Sequence, residues 1–183
     1  MQNKNKKRTE STSRDEHHSL AMREELKLGN LITWLGLASG FASILLSITG
    51  RFVLAGILIA VSMICDFFDG RMARKAHKAT AFGTEIDSLT DIISFGMAPA
   101  MLGFMHYTAT FAITAYFINI SAGVFRLARY NILHREHYYV GMPITWNAVI
   151  ILITVFLLPQ AIWPYMYLAS AVLMASPFKI RKI

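Results

Sequence analysis

Residues 65–91 read CDFFDGRMARKAHKATAFGTEIDSLTD. Five of the chain's eleven acidic residues, Asp66, Asp69, Glu85, Asp87 and Asp91, fall in this stretch, although long apolar runs flank it. Asp66, Asp69, Gly70 and Ala73 recur at i, i+3, i+4 and i+7, and Gly83, Asp87 and Asp91 at i, i+4 and i+8, so each set lies along one helical face. The small residues on both faces permit close helix approach and leave room beside the carboxylates. The stretch therefore predicts two helices meeting through their acidic faces, joined by a basic connection at residues 75–78. Glu85 lies off the aspartate stripe.

The rest of the chain supplies the setting. Of 183 residues, 55% are hydrophobic and only 16% charged, a composition outside the range of soluble domains. A net charge of +7 raises nucleic acid as a partner, but the basic residues lie between apolar runs and form no continuous stripe, so no nucleic-acid partner is expected. The single cysteine, Cys65, excludes an intrachain disulfide and any paired metal–thiolate spacing. Residues 1–18 are too polar to bury a core and are expected to be disordered; residues 19–30 could form an amphipathic helix at the membrane surface. With the first apolar segment beginning only near Leu31, no cleavable signal peptide is expected.

A bilayer core about 30 Å thick takes about 20 helical residues to cross. Six stretches qualify as candidates: 31–48, 52–74, 82–105, 108–130, 144–158 and 161–176. The expected fold is an all-α integral membrane domain over residues 31–178 with six transmembrane helices, followed by a basic cytoplasmic end at 179–183. Lysine and arginine favour cytoplasmic loops. Seven of the eighteen precede residue 31, four lie at 71–78, three at Arg126, Arg129 and Arg135, and three at 179–182; only Arg51 falls on the other side. That distribution predicts both termini in the cytoplasm.

At 1.5 Å per residue, Asp66 lies about 21 Å along a helix entering at Phe52, and Asp87 and Asp91 about 8 and 14 Å in from Phe82. The aspartates thus converge below the cytoplasmic headgroups. Each would cost about 2.5–3.5 kcal/mol at a helix centre, so a compensating cation is expected. Oxygen ligands without thiolate or imidazole suit Mg2+ or Mn2+, as one or two ions. A structural network with Arg71, Arg74, Lys75 and Lys78 is the bland alternative, but it explains neither the depth of Asp91 nor the small residues.

Written with its spacing, the stretch is Asp66-x2-Asp69-Gly70-x2-Ala73-Arg74-x8-Gly83-x3-Asp87-x3-Asp91, which resembles the signature of the CDP-alcohol phosphatidyltransferases. The continuation Ser94-Phe95-Gly96-x-Ala98-Pro99-Ala100, with 125–131 (FRLARYN) and Gly141-Met142-Pro143, resembles the phosphatidylserine synthase branch of that family. Asn30-Leu31-Ile32-Thr33 is similar to a common opening of the first helix, with Gly29 where proline is frequent. The resemblance covers about residues 28–178.

This resemblance implies an enzyme of the cytoplasmic membrane, its active site facing the cytoplasm, that transfers a phosphatidyl group from CDP-diacylglycerol to L-serine and releases CMP. It implies Asp66, Asp69 and Asp87 as primary metal ligands and Asp91 as general base with a share in the metal. Gly70, Ala73, Arg74 and Gly83 would line the CDP pocket, and a homodimer is the family default. A substrate carboxylate suggests Arg126 and Arg129 as bidentate partners, although arginine at a helix end also serves as an interfacial anchor. Asn119 and Asn131 are weaker candidates. His77, His106, His134 and His137 read as interfacial residues, and the methionines and phenylalanines as packing. Other acceptors, glycerol phosphate or inositol phosphate, and an archaeal ether-lipid donor would use the same metal site. A divalent-cation transporter is the alternative of a different class, but transporters place such groups near the midplane, often in repeated halves, and no second copy of the stretch is present.

Overall fold

A computed structural model describes residues 28–76, 81–133, 138–177 and 179–181. Helices α1 (Leu28–Ile48) and α2 (Phe52–Ala76) form a tight hairpin. Its turn has a simple cause. Gly50 takes φ +74°, and the Gly50 and Arg51 amides donate to the carbonyls of Ser47 and Leu46 at 3.1 and 2.8 Å, a Schellman closure that only a residue without Cβ adopts readily. The two helices then pack through small residues: Ser62 Oγ donates to Gly36 O and Ser43 Oγ to Ala55 O, both at 2.9 Å.

The third helical rod has three pieces, α3 (Ala81–Asp91), a π-helical segment (Ile92–Met97) and α4 (Ala98–His106). The sequence predicts one regular helix here. The departure traces to Pro99: it carries no N–H, so the Phe95 carbonyl, four residues back, loses its helical donor. The ladder adjusts with a wider turn, in which the Ala98 amide reaches back five residues to Ile93 O.

Helix α5 (Thr110–Leu133) extends three residues beyond the expected end of its span. Then come β1 (Tyr138–Val140), α6 (Ile144–Leu157), a 3-10 turn (Gln160–Ile162), α7 (Trp163–Ala175) and β2 (Lys179–Arg181). The two strands pair antiparallel, Tyr138 opposite Arg181 and Val140 opposite Lys179. They correct the all-α expectation: part of the polar connection before Pro143 and of the basic end pairs as a short ribbon. Gly141, at φ +75°, lets the chain turn from β1 into α6 beneath the Met174 and Ser176 carbonyls, where a Cβ would collide.

Large apolar side chains face outward, among them Phe117 at 70% and Leu157 at 76% exposure, while Ser43, Ser62, Ser94, Asn119, Asn147 and Ser170 are buried. That pattern suits a lipid surround. Among the described residues, four helices are long and apolar enough to cross a membrane, Leu31–Ile48, Phe52–Arg71, Gly83–His106 and Thr110–Ile132. Helices α6 and α7 have 14 and 13 residues, about 21 and 20 Å at the helical rise, short of a full bilayer core. Residues 28–30, assigned from sequence to an interfacial helix, instead open α1. The rest of the expected tail and surface helix, residues 1–27, lies outside the described residues.

Candidate metal and phosphate site

Asp66 comes from the C-terminal half of α2, and Asp87 and Asp91 from successive turns of α3. One carboxylate oxygen from each lies within 4.8 Å of the others, with Asp91 buried and the other two half-buried. Two ligands on opposite sides of a hard divalent ion stand about 4–5 Å apart, from about 2.0–2.1 Å each for Mg2+ to about 2.3–2.6 Å each for Ca2+. The oxygen-only set and its spacing therefore fit such an ion.

Asp69 is engaged differently. It too is buried, but Thr33 of α1 donates a hydrogen bond to its Oδ2. The sequence expectation put all four aspartates at the metal, with Asp91 also the base; in the fold Asp66, Asp87 and Asp91 form the close group and Asp69 accepts from the Thr33 hydroxyl. Thr145, in the first turn of α6, donates to Asp66 Oδ2 at 3.4 Å. Sequence reasoning missed Thr145. The available signal was its place two residues after Pro143, which starts the helix.

Helix α5 carries the arginines, and the fold separates them. Arg126 is buried and near enough to Asp91 for their charges to interact; its guanidinium also stacks over Tyr130, 5.2 Å from the ring centre. Arg129 binds the end of α7, donating from Nη1 to Ala175 O at 3.2 Å and from Nη2 to Ser176 O at 3.0 Å and Met174 O at 3.4 Å. A cation there satisfies the carbonyls that a helix C-terminus leaves without intrahelical donors. Asn131, two residues further along, pairs with Ser88 beside Asp87, Nδ2 to Oγ at 3.1 Å.

Other predicted residues fall elsewhere. Gly70 is half-buried in the C-terminal half of α2 and Gly83 half-buried near the start of α3. Ala73 and Arg74 continue α2, but their side chains lie outside the described residues, as do His77, His134 and His137. Asn119 lies in a buried seam remote in sequence from the acids and bonded to Asn147. Glu85 is exposed. His106 stacks on Phe52, ring centres 3.5 Å apart, and meets Trp163 edge-on.

Residues 26–176 match the sequence profile of the CDP-alcohol phosphatidyltransferases. The chain is 34% identical over 158 residues to a CDP-diacylglycerol--serine O-phosphatidyltransferase of Saccharomyces cerevisiae, covering 75% of this chain and 56% of that protein. A protein of the same name from Methanocaldococcus jannaschii is 33% identical over 131 residues, 72% of this chain and 61% of its own length. The archaetidylserine synthase of Methanothermobacter thermautotrophicus is 39% identical over 136 residues, 69% of this chain and 56% of that protein. The aligned part thus spans less than two thirds of each of these relatives.

Proposed function

The chain belongs to the CDP-alcohol phosphatidyltransferase family, and from that premise we propose that it transfers the phosphatidyl group of CDP-diacylglycerol to L-serine, giving phosphatidylserine and CMP. The observation that carries the reading is the convergence of Asp66, Asp87 and Asp91 from two helices within one ion's coordination span. The names of the relatives support serine as acceptor.

In the proposed reaction the serine hydroxyl oxygen bonds to the lipid-side phosphorus as that phosphorus releases CMP, and Asp91 accepts the hydroxyl proton. Asp66, Asp87 and Asp91, with Asp69 beside them, would hold Mg2+ or Mn2+. When bound, the cation supplies neutralisation of the charge spread over the pyrophosphate and the departing CMP. Thr33 and Thr145 orient the two α2 carboxylates from opposite sides. Arg126 is the better placed of the two arginines for the serine carboxylate; Arg129 is committed to the end of α7. Gly70, Ala73, Arg74 and Gly83 are assigned to the CDP moiety, Arg74 to its phosphate.

Six crossings complete the reading, with α6 and α7 as short or tilted spans, both termini in the cytoplasm and the acids open to soluble serine. The distribution of seventeen of eighteen basic residues supports that orientation. A homodimer is part of the same proposal. The archaetidylserine synthase match supports a second reading of the donor, an ether lipid in place of the diacyl lipid.

The deciding experiment measures CMP release by the purified protein in lipid, with diacyl or ether-linked CDP donor and with serine, glycerol phosphate or inositol phosphate in turn. Serine-dependent release with Mg2+ or Mn2+ is expected. Release driven only by another acceptor overturns the serine assignment, and divalent-ion uptake into vesicles without CMP formation overturns the enzyme reading.

A further inference from the structure

The Phe95 carbonyl, deprived of its donor by Pro99, is not left bare. Asn147 of α6 points its Nδ2 at it, at 2.9 Å. The other end of that amide is fixed as well: Asn147 Oδ1 accepts from Ser170 Oγ of α7 at 2.6 Å and from Asn119 Nδ2 of α5 at 3.0 Å. Tyr167, also of α7, donates to Pro99 O, in the first turn of α4, at 2.7 Å. Asn147 and Tyr167 have no exposed surface, and Asn119 and Ser170 have 1%. Three helices thus converge on one interrupted turn.

The turn is closely held from the other side. A Cβ on Gly40 of α1 would stand 2.9 Å from Ser94 Cα, so the wide π segment fits against α1 only because residue 40 has no side chain. A π turn holds one residue more than an α turn, and each residue of an α-helix advances the phase by about 100°. Reverting the segment to an α-helix would therefore rotate α3 by about 100° against α4. Asp91 immediately precedes the segment and Asp87 lies one turn earlier, so both carboxylates would swing off the face shared with Asp66.

We propose that Asn147 is a positioning residue for the carboxylate site: its amide replaces the N–H that Pro99 lacks and so stabilises the π turn that points Asp87 and Asp91 at Asp66. The consequence for metal rests on the proposed function; the geometry of α3 does not.

The test separates phase from stability. Restoring the missing donor by Pro99→Ala should make Asn147 dispensable for folding while removing the cause of the wide turn. Nitroxide labels at the exposed positions Leu89→Cys on α3 and Ile64→Cys on α2, in a Cys65→Ser background, report the phase of α3 as a distance independent of ligands. Expected are a shifted or broadened distance in N147L, and in P99A/N147L a clean shift of about 5 Å or more, given side chains about 5 Å from the helix axis. The double variant should also regain the thermal stability lost by N147L, yet bind Mn2+ at least tenfold more weakly than the unsubstituted protein. A wild-type label distance or wild-type Mn2+ affinity in P99A/N147L overturns the proposal, as does failure of the double variant to fold. Should N147L alone fail to fold, the double variant decides. Should the unsubstituted protein bind no Mn2+ and release no CMP with serine, the functional reading falls and the label distance alone decides this one.

Discussion

Among the described residues, a buried amide seam and a partly buried carboxylate cluster are built on opposite principles. In the amide seam of Asn119, Asn147, Ser170 and Tyr167, every member is neutral and each spends its donors on groups within the protein, including the Phe95 carbonyl that Pro99 deprives of its donor. The carboxylate cluster instead brings together Asp66, Asp87 and Asp91, three like charges within 4.8 Å, with hydroxyls from α1 and α6 around it. A neutral hydrogen-bonded network rigidifies its surroundings, whereas close carboxylates in a low dielectric repel and call for a cation. One cluster spends its donors within the folded chain; the other gathers acceptors that call for a cation.

That contrast is broken most directly by removing the cation. Chelation should abolish CMP release, Mg2+ or Mn2+ should restore it, and the thermal midpoint should change far less than the activity; a chelator-resistant rate refutes the carboxylates as a metal site. Next comes Asp91→Asn, which keeps the shape and removes the base. It should lower kcat by at least about a hundredfold, the usual scale of lost base catalysis, while CDP-diacylglycerol still binds by calorimetry.

The arginines offer a finer comparison. Arg126→Ala should raise KM for serine by about tenfold or more, equivalent to about 1.5–3 kcal/mol for a hydrogen bond to a charged group. Arg129→Ala should leave that KM unchanged and lower the thermal midpoint, since it exposes or orphans the end of α7 at a cost of about 1–3 kcal/mol. Equal effects of the two on KM would erase the distinction drawn from their contacts. The smallest effect is expected from Thr145→Val. Losing one long hydrogen bond to Asp66 should weaken Mn2+ binding about two- to tenfold, read by titration.

Much of the carboxylate site was legible in the chain itself. Asp87 and Asp91 share a face because four residues make about one helical turn, and Asp66 lies on the face of α2 that the spacing marks as acidic. The seam was not legible. Asn147 and Phe95 are 52 positions apart and nothing in the local pattern around either names the other. Pro99 carried half of the signal, since it announces an orphaned carbonyl four residues back, but the donor that answers it is chosen by how α6 packs. The same holds for the arginines: Arg126 and Arg129 are three residues apart and chemically alike, and only the position of α7 separates them.

By itself, then, the sequence determined the apolar helices, the asymmetry of basic residues and the acidic faces, all of them properties of spacing along one chain. Tertiary structure decided which carboxylates meet, which arginine attends them and what holds the interrupted turn. Helical periodicity places a side chain on a face of its own helix; the partner it finds there depends on the phase of a neighbour fixed by contacts across the whole bundle.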